Sequence, residues 1–150
     1  MDNFLNQLWL YNDWANKKVF ESFELNREAV PYICLHLLSH IVNAQSRWLS
    51  RMEYTEATTG VWEHHTLETC IAMHKAAADG IANQNTKLTE QPTSVVLKYN
   101  TTNGQEFQNH VSDILLHIFN HGTYHRAQIA QEMRKNGLEP TNTDYIQFVR

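Results

Sequence analysis

Apolar residues return at helical spacing in four separate segments of this chain, and that pattern decides the fold class before any other feature. In the first segment, residues 2 to about 25, they are Phe4, Leu5, Leu8, Trp9, Tyr11, Ala15, Val19, Phe20 and Phe23, with Asp2 as the N-cap. Asn26-Arg27-Glu28 interrupts the stripe, and Pro31 suits the first turn of a second helix that runs to about Met52. Its apolar side is Ile33, Leu37, Ile41, Ala44 and Trp48. A third helix starts near Thr66 and buries Leu67, Ile71, Ala78, Ile81 and Leu88, with Gly80 a local weak point. A fourth opens at Asn109 on Val111, Ile114, Leu115, Ile118, Ile129 and Met133, and ends near Asn136-Gly137, ahead of Pro140. Amphipathic helices must cover their stripes with one another, so the expectation is an all-α, antiparallel-type four-helix bundle in a single domain, residues 1–150.

The connections add detail. Residues 53 to 65, E-Y-T-E-A-T-T-G-V-W-E-H-H, lack periodicity and are more than a tight helix–helix loop needs. Extended, they span much of a helix length, so helices 2 and 3 can run parallel. After Gln91-Pro92 the period switches to two in S-V-V-L-K-Y-N, and Asn103-Gly104 supplies a turn before Gln105-Glu106-Phe107. This predicts a small β-hairpin between helices 3 and 4. Thr141 to Arg150 reads as a short terminal helix or turn that packs Tyr145, Ile146 and Phe148.

Composition excludes several classes of function. A net charge of −4 without a run of either sign disfavours a nucleic-acid surface or a polybasic membrane patch. No apolar stretch approaches the length of a membrane span, and the acidic, polar N-terminus does not read as a signal peptide. Cys34 and Cys70 are far apart in sequence and form no C-x-x-C pair, which fits buried thiols in a reduced, cytoplasmic protein. The outlier is histidine, with nine in the chain.

Three of these, His117, His121 and His125, are four apart on the fourth helix. A four-residue step returns to nearly the same helix face, so two imidazoles one turn apart can point at a single ion. His125 falls within the apolar stripe and His121 on its near edge, beside Gly122, whose missing side chain leaves room. His117 falls toward the solvent border. On the second helix His40 lies at the edge of the stripe and His36 further round. The pattern therefore favours a site of His40, His121 and His125. Three protein ligands with one open position is the arrangement of catalytic zinc; nickel and other divalent ions also accept imidazole. Such an ion can acidify water or hold a substrate thiol as thiolate.

The competing readings are ordinary ones. A histidine on an apolar face is commonly a hydrogen-bonded core residue. His36, His64, His65, His74 and His110 read as surface or loop residues, and the tryptophans as core, although Trp48 can also wall a pocket. Tyr124, Arg126 and Gln128 neighbour His125 and can support the ligands or bind an anionic group; a solvated ion pair is the plainer role for Arg126. H-E-x-x-H, E-x-x-H, G-x-S-x-G, the P-loop and the dinucleotide fingerprint are all absent, and no carboxylate adjoins the ligands in sequence.

The run N-H-G-T-Y-H-R-A-Q-I, Asn120 to Ile129, resembles the N-H-x-x-x-H-R-G-Q-I signature of DinB/YfiT-like proteins. Y-N-D-W-A-N (Tyr11 to Asn16), S-H-I-V-N-A-Q-S-R-W (Ser39 to Trp48) and G-L-E-P-T-N-T-D-Y-I-Q-F (Gly137 to Phe148) extend the likeness over almost the whole chain. Ala127 stands where glycine is usual. The resemblance implies an up-down-down-up four-helix bundle, commonly a dimer, with a metal held by one histidine of helix 2 and the H-x-x-x-H pair, here His40, His121 and His125. Some relatives transfer to or isomerise with bacillithiol, mycothiol or glutathione; others are described only as damage-inducible or metal-dependent. The expected function is thus a metal-dependent S-transferase of detoxification or stress response, using a low-molecular-weight thiol and an electrophile. The alternatives are a metal-dependent hydrolase and a non-catalytic bundle in which a metal only ties helices together. No nucleic-acid or membrane partner is expected.

Overall fold

The computed structural model describes residues 2–90 and 95–150, with side chains from residue 4 onward. The chain is mostly helical: α1 (Asp2–Leu25), α2 (Tyr32–Met52), α3 (Leu67–Glu90), β1 (Val96–Asn100), β2 (Glu106–His110), α4 (Val111–Lys135) and α5 (Tyr145–Val149). Asp2, expected as an N-cap, is the first residue of α1, and its side chain lies outside the described residues, as do Gln91 and Pro92 at the expected change of period. Thr66 caps α3 by accepting the Thr69 N–H at 3.2 Å.

The four long helices close on one another, α1 against α3 and α4, and α2 against α3 and α4. Their core is divided. At one end Phe20, Phe23, Leu38, Ile41, Cys70, Ile129 and Met133 pack together; at the other, Trp9, Met52, Ile81, Ile114, Leu115, Ile118 and Phe119. Between these two apolar ends sits a buried polar layer, made by Asn12, Asn16, Gln45, His74 and Arg126. Both cysteines are free and buried. Gly80, expected only to weaken α3, faces Leu49, where a Cβ would lie 2.5 Å from Cδ2. Its lack of a side chain is what lets α2 and α3 approach so closely.

The hairpin pairs β1 with β2 antiparallel, Val96 opposite His110 and Leu97 opposite Asn109. Helix α4 therefore begins at Val111, two residues after the expected Asn109, because Asn109 and His110 are held in the ladder. Only Leu97 of the hairpin is deeply buried. Three residues expected to pack face outward: Phe4 is 57% exposed, Ile146 49% and Ile33 40%. The short α5 is an element beyond the four long helices. It rests on α1 through Tyr145 and Phe148, whose rings lie 5.2 and 5.9 Å from that of Tyr11.

Candidate metal centre

His40 comes from the middle of α2, and His121 and His125 from successive turns of α4, which packs against it. One ring nitrogen from each lies within 4.8 Å of the other two. The Nε2 atoms of His40 and His121 are 3.1 Å apart. His117 is left outside this group, its ring 5.5 Å from that of His121 and edge-on to Trp48. His36 stacks instead with Tyr32, His64 and Trp62 on the outer side of α2.

The other ring nitrogens fix the tautomers. His40 Nδ1–H donates to the Val61 carbonyl at 2.8 Å. His125 Nδ1–H donates to Gln128 Oε1 at 2.7 Å. In both rings the proton on Nδ1 leaves Nε2 as the lone-pair nitrogen, the usual arrangement of metal-binding imidazoles; without an ion, that of His40 can accept the Nε2–H of His121. Burial pushes the His40 imidazole below its ordinary pKa, although the Val61 bond opposes this. Burial, then the neighbouring His125, His40 and His117, takes His121 down to about 3. These two rings are neutral at neutral pH and available as ligands.

A divalent ion fits this donor set. Two nitrogens each about 2.0–2.1 Å from a tetrahedral ion are about 3.3 Å apart, close to the His40–His121 separation. Among the described residues no carboxylate joins the three imidazoles within the same distance.

The wall over His40 comes from the α2–α3 connection. The Trp62 indole lies parallel to the His40 ring, with centroids 3.6 Å apart and planes 3° from parallel, while 51% of the residue stays exposed. Asn43, one turn after His40 and fully buried, anchors this connection. Its Nδ2 donates to the Glu63 carbonyl at 2.8 Å and, at 3.4 Å, to that of Val61. Its Oδ1 accepts from Thr59 Oγ1 at 2.8 Å and lies 2.7 Å from His65 Nε2. Arg47 holds the Thr59 carbonyl and Ser39 Oγ the His65 N–H. A sequence reading treats residues 53–65 as a plain connection and misses Asn43, Val61 and Trp62. The available signal was the excess length of that connection and a tryptophan in an otherwise polar stretch.

The three neighbours of His125 separate. Gln128 touches it. Tyr124 is 63% exposed with its ring edge-on to His125, 5.0 Å away. Arg126 points away, into the polar layer, and is only 2% exposed. The solvated ion pair expected for Arg126 is not there: its Nη1 donates to Asn12 Oδ1 and Asn16 Oδ1 at 3.0 and 2.8 Å, and Nη2 to Thr123 Oγ1. The physical reason is Gly122. A Cβ there would meet Arg126 Nη1 and Asn12 Oδ1, each at 2.7 Å, so the missing side chain makes room for the guanidinium rather than for His121. His74, expected at the surface, is also in this layer, between Gln45 Nε2 at 3.0 Å and Asp13 Oδ1 at 2.9 Å.

Two comparisons bear on this arrangement. The family model described as the DinB family matches residues 1–150. Protein DinB of Bacillus subtilis (strain 168) is 28% identical over 171 aligned positions, which cover 97% of this chain and 93% of that protein.

Proposed function

The chain belongs to the DinB family, and on that premise we propose that it is a metal-dependent, thiol-using S-transferase with His40, His121 and His125 as ligands of one divalent ion. The observation that carries this reading is the convergence of three imidazoles, two of which have their outer nitrogens already committed, His40 to Val61 and His125 to Gln128. Zinc or nickel suits an all-imidazole set. Such an ion acidifies a thiol or water brought to it. The chain's own residues do the rest: Val61 and Gln128 hold the tautomers, and Trp62 shields one face of His40 from water.

Transfer is preferred to hydrolysis because no carboxylate joins the histidines among the described residues. Either a thiol or a water ionised on the ion would be the nucleophile, but ester or amide hydrolysis would further need a proton delivered to its leaving group, for which the site offers no carboxylate. The thiol in this reading is a small cellular cofactor and the acceptor an electrophile, which suits detoxification or a stress response in the cytoplasm. No described helix is long and apolar enough to cross a membrane.

We read the four long helices as an up-down-down-up bundle in one domain, and the protein as a homodimer. The side-chain pairings support the topology. Trp9 and Asn16 of α1 meet Phe119 and Arg126 of α4 in the same order, so these two helices run parallel. Ser39 and Leu49 of α2 likewise meet Cys70 and Gly80 of α3 in order.

The test is thiol consumption with a haloarene or epoxide, using glutathione, bacillithiol and mycothiol in turn, on metal-loaded and metal-free protein. Saturable, metal-dependent consumption is expected with at least one thiol. Metal-dependent ester or amide cleavage without thiol would replace this reading with hydrolysis. Inactivity throughout would leave a structural ion.

A further inference from the structure

The four-residue step that aligns His121 and His125 continues backward through His117 and Asp113 to Asn109 at the end of β2. Residues four apart form a row along a helix, so within α4 this row leads from His125 and His121 through His117 to Asp113, at the end next to the hairpin. At its far end is a cleft of about 340 Å³, lined by Trp48, Tyr99, Asn109, Asp113, Ile114 and His117. That volume is at the small end of small-molecule pockets.

The walls are aromatic. The Trp48 and Tyr99 rings meet edge to face with centroids 5.0 Å apart. The Tyr99 hydroxyl donates to Asn109 Oδ1 at 2.7 Å, which fixes that wall to β2. The Arg51 guanidinium carbon is 4.5 Å from the Trp48 centroid and 5.1 Å from that of Tyr99, so the cation-attracting faces of these rings are already engaged and what the walls offer a ligand is aromatic contact. Inside the cleft Asp113 is exposed, and among the described residues no ion pair takes its carboxylate. His117 closes the side toward the metal centre, 5.6 Å from Trp48 and 5.5 Å from His121 by ring centroids.

We infer that this cleft recognises a single-ring aromatic cation, with the ring against Trp48 and Tyr99 and an ammonium or amidinium group at Asp113. Aromatic walls favour a ring, and the Asp113 carboxylate, on the cleft lining and without an ion-pair partner among the described residues, sets the sign of the head group. The inference rests on the proposed function only in direction: His117 separates the cleft from His121, which would make the cleft an outer subsite of the metal centre.

Benzylammonium, benzyl alcohol and benzoate are the probes, titrated into the full chain with and without zinc and followed by ligand-observed NMR and tryptophan fluorescence. Benzylammonium should bind about tenfold more tightly than benzoate. Asp113→Asn, an exposed change that spares the core, should erase this preference and leave benzyl alcohol within about twofold of its original affinity. Trp48→Ala should weaken all three probes, with Trp48→Phe retaining part of the binding. Equal affinities for the three probes, or a preference that survives Asp113→Asn, would overturn the inference. Zinc uptake is measured on the same samples. A charge-selective cleft without zinc uptake would sustain the pocket and remove the metal-centre reading; zinc uptake without charge selection would do the reverse.

Discussion

The Nδ1–H of His40 points at the carbonyl of Val61, 2.8 Å away, so the loop after α2 decides which nitrogen of this ring faces α4. The carbonyl is held in place by Asn43, and the next residue, Trp62, stacks on the ring it orients. The His40 ring, its tautomer and its cover are therefore one local assembly in which Asn43 is the positioning residue.

Asn43→Ala should release the connection while leaving the helices formed. Removing the support of a metal-ligating histidine commonly costs about 10–100-fold in metal affinity, and a loss in that range is expected here. A chelator-competition titration measures it, with circular dichroism to check helix content. Unchanged affinity would mean that the loop only covers the bundle.

Gln128→Leu tests the same idea on α4. The Nδ1–H of His125 would lose its acceptor. Affinity should fall by about tenfold, and Gln128→Glu, which keeps an acceptor, should restore most of it. Equal behaviour of the two variants would argue against a tautomer-setting role.

Gly122→Ala puts a methyl group 2.7 Å from both Arg126 Nη1 and Asn12 Oδ1. Overpacking of this kind costs about 1–3 kcal/mol, here with a buried cation displaced from its acceptors. Urea unfolding should show the loss, whereas metal stoichiometry of the folded fraction should stay at the wild-type value. A stable variant with less metal would return Gly122 to the role of making room beside His121.

The four long helices were legible because their apolar residues recur at i, i+3 and i+4, and the close of α4 because Asn136-Gly137 precedes Pro140. His40, His121 and His125 were separable from the other histidines by the same angular count. The polar layer was not. Asn12, Asn16, Gln45 and Arg126 interrupt the stripes, and a single sequence does not reveal that they hydrogen-bond to one another between the long helices. The Val61 contact was illegible for another reason: it is made by a backbone carbonyl, which carries no side-chain signature. Asn109 and His110 look like the start of a helix until the strand pairing that claims them is known.

The pH dependence of the metal-free protein follows from the same histidines. His40 and His121 have lowered pKa values in the fold, so the unfolded chain binds more protons as pH falls below the ordinary imidazole value near 6.5. Stability should then decline on acidification from pH 7 to 5, by at most about 1.4 kcal/mol per pH unit for each such ring. Asp13, held below its ordinary value chiefly by its bond to His74, contributes stability that is lost at still lower pH as it protonates. Urea midpoints at pH 7, 6 and 5 measure the decline. His121→Gln should flatten it; an equally steep decline in that variant would contradict the assignment.

The most direct test of the account is the metal content of untagged protein beside His40→Ala. About one divalent ion per chain in the wild type, lost in the variant, is the predicted result, because the ion needs a ligand from each of two helices. An ion retained in His40→Ala would contradict the assignment of His40 and direct attention to His36 or His117. No uptake by the wild type, even after reconstitution, would contradict the metal centre itself.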